Sequence, residues 1–458
     1  MLLSPSPGRS VERPRPTGSP PPRPPSRRAR RRGFGLVLAT TLSLALSALG
    51  PAARIATVSA DGVPGLPDLT FYGRGYGHGV GMSQYGARGR ALAGQLAPEI
   101  LGHYYAKTTL GTRSTAAVVR VLLLTGFAAT SAKPLRVAGR VGPFTIDGIA
   151  TIFPIDATLT LVPTAAGATS WSLKVVSATG APLKTATVSG DVYVRPATGS
   201  SYLQLLSKAT TTNLYRGFLR IHLTKTAAVV NHVTIERYLR GVVPLEMPSS
   251  WPVEALKAQA IASRSYALRR IRSATYLFDL YDDTRSQVYR GRRAETTAGN
   301  EAVTATSGSV LLSGTSLVNA LFHSADGGWT ENNENVFVSS TGSMVAGAVS
   351  YLRGSSDRAP DGTSYDKASP YATWHTATYT AAALSAILAT DPRTAVGILA
   401  QLDLSNRGVS GRLISVTIVG QLGTKTVSGD VFRAVFNAAK PAADPVLRGT
   451  LFDIAPIP

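Results

Sequence analysis

The sequence predicts an α+β fold: mixed helices and antiparallel sheets, with an inserted β-rich unit of sandwich or barrel-like form. Three observations carry this expectation. Of 458 residues only 16% are charged and 7% aromatic, while 44% are hydrophobic and 44 are glycine, a mix that suits strands and turns better than a helical bundle. Between residues 116 and 234 apolar and polar side chains alternate between turn signals, the period of half-buried strands. Over residues 236–272 the apolar spacing changes to three, four and seven, the period of a helix.

Taken in order, residues 1–32 are rich in Pro, Arg and Ser and read as a disordered leader. Its nine arginines against Glu12 alone give it a charge of +8, leaving +13 of the total +21 on the remainder. The run GFGLVLATTLSLALSAL, residues 33–49, is apolar and uncharged, and small residues follow at Ala52, Ala53 and Ala60. This is the layout of a signal peptide, so residues 1–60 are expected to direct a secreted, extracytoplasmic product. Arg31-Arg32-Gly33-Phe34 also fits twin-arginine export. Any membrane attachment is expected only through this segment left uncleaved, and the run falls short of the ~20 residues of a comfortable span.

Residues 61–110 comprise a Pro/Gly-rich linker, a glycine-dense segment and a helix over Leu96–Tyr105. Residues 111–214 form the β-rich subdomain, with strands at VRVLLLTG, GPFTIDGIATIFPI, ATLTLVP, SWSLKVVSATG and GDVYVRP. Residues 215–458 form the core. It opens on the strand GFLRIHLT and continues into a helix started by Pro252. Beyond that the pattern predicts a helix over Thr296–Thr306, strands at Val310–Leu312 and Leu317–Phe322, and a helix over Thr380–Ala389. Strands at RLISVTIVG, TKTVSGDVFRAVF and GTLFDI are expected to complete it.

Cysteine is absent, which excludes disulfides, a thiolate nucleophile and a cysteine-built zinc site. Lys and Arg are scattered through the body with no nucleic-acid-binding motif, so no nucleic acid partner is expected. The positive balance suits an anionic wall or membrane surface.

Three segments carry chemistry. In ERYLRGVVPLEMPSSWPVEALKAQAIASRSYAL, Glu246 stands among Pro244, Leu245, Met247 and Pro248. A carboxyl group in apolar surroundings holds its proton more tightly and can then donate it to a glycosidic oxygen. The competing reading is a glutamate favoured at a helix start. Lys257, Gln259 and Arg264 follow on the same segment as candidate substrate contacts. The second, FYGRGYGHGVGMSQYGA, mixes glycines with Arg74, His78 and Gln84, a polar set suited to a sugar; the histidine alone also fits a structural role. The third comprises two polar loops, DDTRSQVYRG with Gln287 and Tyr289, and LFHSADGGWTENNEN with His323 and Ser324. Ser324 with His323 and Asp326 offers triad ingredients, but sequence neighbours rarely take that geometry. Asp282-Asp283 could bind a cation, but adjacent residues in a tight loop are more often solvated turn formers.

Together these segments resemble the bacterial sporulation stage II protein D family, which includes the amidase enhancer LytB. The match rests on the Glu246 segment, DDTRSQVYRG, FHSADGGWTENNENVF, YLRG at 351–354 and SPYATW at 369–374. The resemblance implies a SpoIID-like catalytic core and a lytic transglycosylase acting on peptidoglycan glycan strands stripped of peptide. Such an enzyme cuts the N-acetylmuramic acid–N-acetylglucosamine bond and leaves a 1,6-anhydro end, with Glu246 as acid and then base. The alternative it implies is a non-catalytic wall-binding enhancer of an N-acetylmuramoyl-L-alanine amidase, which makes a cell-wall amidase the expected partner. Some relatives hold zinc beside the Q-V-Y stretch with Cys and His; here that stretch has neither, so no metal and no cofactor are expected. In many relatives GHGVGMSQYGA lies near the C-terminus, which implies a permuted arrangement here.

Overall fold

Alternation builds the largest element. Leu159 and Leu161, Trp171, Leu173 and Val175, Val192 and Val194, and Leu219, Ile221 and Leu223 all point to one side of their strands and are buried together around Phe144 and Phe153. The computed structural model describes residues 66–457, so the expected leader and signal peptide lie outside it. In it these strands form one twelve-stranded sheet, ordered Leu214–Tyr215, Tyr202–Leu205, Leu135–Arg140, Thr158–Pro163, Ser170–Val176, Pro182–Pro196, Phe218–Leu223, Ala227–Thr234, Val118–Phe127 and Leu280–Tyr281, with two short strands attached to the flank. Neighbours run antiparallel except the last pair. Pro182–Pro196 changes partners midway. Its first half pairs with Ser170–Val176 and its second with Phe218–Leu223, and Gly190, at φ +70°, sits where the switch occurs. The strands of residues 111–214 are thus hydrogen-bonded into the same sheet as Phe218–Leu223 and Ala227–Thr234, which lead to the helices.

The helices are α1 (Gln84–Leu92), α2 (Ala97–Tyr104), α3 (Ile235–Arg240), α4 (Val243–Glu246), α5 (Val253–Arg269) and α6 (Thr297–Ala305), with further helices at Ala381–Leu388 and Gly429–Ala439. α5 is the hub. Its alanines let α1, α2, α3, α6 and the strand Ser309–Ser313 approach closely, and every residue from Ala258 to Leu268 is buried. Over that stretch it is therefore enclosed on all sides. Among the described residues no helix is long and apolar enough to cross a membrane.

A second core joins the ends of the described chain. Leu69–Gly73 pairs with both Trp374–Tyr379 and Phe452–Asp453, and Phe71 makes edge-on contacts at 5.3–5.8 Å with Phe432, Phe436 and Phe452. The start of the glycine-rich segment consequently lies beside the C-terminal strand in space.

The architecture is α+β, with three local corrections. TKTVSGDVFRAVF is a strand only to Ser428; the Ser428 hydroxyl then accepts from the Val431 N–H and caps a helix whose buried Phe432, Val435 and Phe436 follow helical spacing. Leu317–Phe322 is not continuous, since only Ser316–Leu317 and Phe322–His323 pair as strand. α1 falls inside the stretch read as a glycine loop, capped by Ser83, whose hydroxyl accepts from Gly86 N–H at 3.1 Å.

Candidate active site

Glu246 ends α4, a single turn. Val243 and Met247 are buried and pin that turn to the core, while the backbone bonds Glu246 N–H to Val242 O (3.1 Å) and Met247 N–H to Val243 O (3.0 Å) fix its path. Leu245 and Pro248 face solvent. The apolar sequence neighbours are therefore not what surrounds the carboxyl group.

Its surroundings come from distant parts of the chain. The Val288 N–H donates to Glu246 Oε1 at 3.0 Å, and the Gln84 side chain lies close enough to favour the charged carboxylate. Gln84 is held in turn: its Nε2 reaches Gln259 Oε1 at 3.4 Å, and Gln259 Nε2 donates to Ser263 Oγ, one turn along α5, at 2.9 Å. Tyr238 and Tyr266 stand close enough to feel the glutamate's charge. Tyr238 donates to Gln287 Oε1 at 3.2 Å, and the buried Gln287 Nε2 has no protein partner. Burial pushes the Glu246 pKa above the ordinary carboxylate value, and Val288 N–H and Gln84 only partly offset it. Among the described residues no cation pairs with it. The result is a partly accessible acid held by neutral donors, the form suited to proton donation near neutrality.

Three of the residues expected at the site, Gln84, Gln259 and Gln287, are thus brought to Glu246. The others go elsewhere. Arg264 is fully buried, paired with Glu236 (Nη2–Oε2 2.8 Å) and bonded to the Ser309 carbonyl at 3.0 Å, so its donors tie α5 to α3 and cannot meet a substrate. Tyr289 is buried, its hydroxyl on Asn231 Oδ1 at 2.8 Å. Lys257 pairs with Glu254 one turn away at 2.7 Å. Arg74 lines a separate cleft with Gly327 and Arg358.

The half-buried His78 and the buried His323 lie 5.3 Å apart, ring to ring. Burial and the nearby Arg412 lower the His78 pKa to about 4; burial, His78 and Arg412 hold His323 well below the usual histidine range. Both are neutral, and neither bonds Glu246. Ser324 offers its carbonyl to Tyr85 N–H at 2.9 Å, and no triad forms. Asp282 pairs with Lys208, Asp283 with Arg285 and Glu334 with Arg353, so each of these three loop carboxylates is bound to a cation. Among the described residues no three His, Asp or Glu side chains converge as metal ligands would.

The residues that sequence reasoning missed are Tyr238, Tyr266 and the Val288 N–H. A backbone donor leaves no side-chain signature, and the tyrosines read as helix core. Tyr85 and Trp251, packed edge-on at 4.8 Å, add an aromatic ledge between α1 and the loop that follows Glu246.

Residues 224–312, which hold Glu246, Gln259 and Gln287, match the family described as SpoIID: Stage II sporulation protein. The amidase enhancer of Bacillus subtilis is 40% identical over 108 residues, covering 24% of this chain and 14% of that protein. Stage II sporulation protein D of the same organism is 34% identical over 157 residues, 31% of this chain and 42% of that protein. An uncharacterized protein of Brachyspira hyodysenteriae is 38% identical over 125 residues, 27% of this chain and 34% of that protein. The chain spans less than half the length of each of these relatives. Residues 224–312 thus carry a SpoIID domain, and over this part the chain is similar to stage II sporulation protein D and to the amidase enhancer.

Proposed function

We propose that the protein acts outside the cytoplasm on the bacterial cell wall as a lytic transglycosylase, cutting between N-acetylmuramic acid and N-acetylglucosamine in strands freed of peptide. The observation that carries this reading is Glu246: a carboxyl group with its pKa raised by burial, held by neutral donors, and with no second free carboxylate bonded to it.

One such group can serve twice. Protonated Glu246 gives its proton to the glycosidic oxygen as the bond from that oxygen to the muramic C1 breaks, and positive charge grows at C1. The muramic 6-hydroxyl oxygen then bonds to C1 and passes its proton to the Glu246 carboxylate, which restores the acid. No water enters. A hydrolase would need a second carboxylate as nucleophile or base. Val288 N–H and Gln84 support the intermediate carboxylate, while burial favours the protonated acid at the start.

Incubation of peptide-free glycan strands with the purified protein, followed by mass spectrometry, tests this. Anhydro-muramoyl ends are expected from the wild type and not from Glu246→Gln. Equal yields from both, or none from the wild type, would sink the reading.

One observation favours a second reading, the similarity to a protein named an amidase enhancer. Under it the chain binds wall and stimulates an amidase, and Glu246→Gln leaves that stimulation intact.

A further inference from the structure

A cleft of about 320 Å³ opens where the β-rich strands meet the strand leading toward α3. Arg195, Thr198 and Tyr202 form one wall; Arg216, Phe218 and Arg237 form the other. Arg195 is paired with Asp147 through Nε and Nη2, both at 2.8 Å, and its guanidinium lies 4.1 Å over the Phe218 ring. Arg216 is paired with Glu295, again through Nε and Nη2, and lies 5.1 Å over the Tyr202 ring. In both pairs the carboxylate occupies one edge of the fork and leaves Nη1 without a protein acceptor. Arg237 is exposed, and no carboxylate among the described residues pairs with it. Three guanidinium groups therefore face two carboxylates. Two of the three are already oriented by a ring and an ion pair, so little side-chain freedom is lost when they bind.

We infer that this cleft binds an anionic saccharide, a sugar carrying a carboxylate or a phosphate. The free Nη1 donors and Arg237 supply charge-assisted hydrogen bonds to the anionic group, and the Thr198 hydroxyl with the guanidinium edges suits ring hydroxyls. The volume holds one or two sugar rings. A polynucleotide fits less well: single strands stack bases on open aromatic faces, and here guanidinium groups lie over the faces of Tyr202 and Phe218. Only the choice of probes rests on the wall-directed reading; the binding itself does not involve Glu246.

Calorimetric titration of the full chain at low salt with N-acetylmuramic acid, glycerol phosphate, neutral N-acetylglucosamine and a single-stranded oligonucleotide tests the inference. At least one of the two anionic probes is expected to bind about tenfold more tightly than the neutral sugar, and which one does so identifies carboxylate or phosphate as the source. Arg237→Glu should weaken that binding by about tenfold. Lys184→Glu, the same charge change at an exposed site outside the cleft, should alter it less than about twofold. Glu246→Gln should leave it unchanged, which separates this outcome from failure of the catalytic reading. Binding of the neutral sugar as tightly as both anions, no binding of either anion, equal weakening by both charge reversals, or tighter binding of the oligonucleotide would each overturn it.

Discussion

Two carboxyl groups, one enclosed and one half-buried, flank the same short helix, α1, and meet opposite surroundings. Gln84, its first residue, lies close to Glu246; Arg90, near its end, bonds Asp357. Asp357 is enclosed, with Arg90 Nε and the Tyr104 hydroxyl each 2.8 Å away, and with Asp326 facing it. Burial and the Asp357 charge drive the Asp326 pKa well above the carboxylate range, so Asp326 takes the proton the pair shares. Arg412 holds this loop through the carbonyls of Asp326 and Trp329. Among the described residues no cation pairs with Glu246, which keeps partial access. One polar cluster is tied to Arg90 and Tyr104 and fastens loops together; the other is an acid whose burial favours the protonated form. The glycines serve both sides. A β-carbon at Gly86 would collide with Asp357 and Tyr104, and one at Gly81, where φ is +72°, with the Leu321 carbonyl.

The contrast predicts different failures. Glu246→Gln should cut glycan turnover by about 10²–10⁴-fold, the range of a lost general acid, without unfolding the chain. Its effect on stability has a defined sign. Because the folded-state pKa is raised, the native state holds more protons than the unfolded state above the ordinary glutamate pKa. Wild-type stability therefore falls as pH rises from that value through the folded pKa, and stays lower beyond it. Glu246→Gln removes this loss, so its melting temperature relative to wild type should be higher at neutral than at acid pH. The reverse trend would break the assignment of a buried, uncompensated acid.

Asp357→Ala should act the other way, costing about 3–5 kcal/mol in denaturant unfolding because it leaves Arg90 unpaired inside the protein. A loss under about 1 kcal/mol would show that the cluster does not fasten the loops. Gln84→Ala sharpens the comparison. It removes a side chain that favours the charged form, so the Glu246 pKa should rise further, the alkaline limb of the pH–rate profile should move up, and the rate should drop by about tenfold. A downward shift would mean that Gln84 does not support the carboxylate. Smallest of all, Lys257→Ala removes a partly exposed i,i+3 pair and should cost less than about 1 kcal/mol, with turnover unchanged.

Much of the frame was legible in the sequence. Period-two alternation marked the strands between Val118 and Leu223, and Pro252 with its following apolar residues marked α5. The raised pKa of Glu246 was legible only in direction. Its sequence neighbours Leu245 and Pro248 point to water, and the groups that enclose it are Gln84, Tyr238, Tyr266 and Val288. Arg264 was misread for a related reason. A charged residue on a helix is ordinarily solvated, and nothing local shows that Glu236 will meet it inside the core. α1 was hidden because glycines at 86 and 89 argue against a helix; they are there for close packing against Asp357, Tyr104 and the Tyr365 backbone.

The claim that Glu246 works alone is tested most directly by running the glycan reaction in water enriched in oxygen-18 and weighing the new muramoyl ends. If the 6-hydroxyl attacks and no second carboxylate activates water, the ends carry no heavy oxygen and have the mass of the anhydro form. Heavy oxygen at C1 of the new ends would contradict the account, since it would require a water molecule and a second group to activate it.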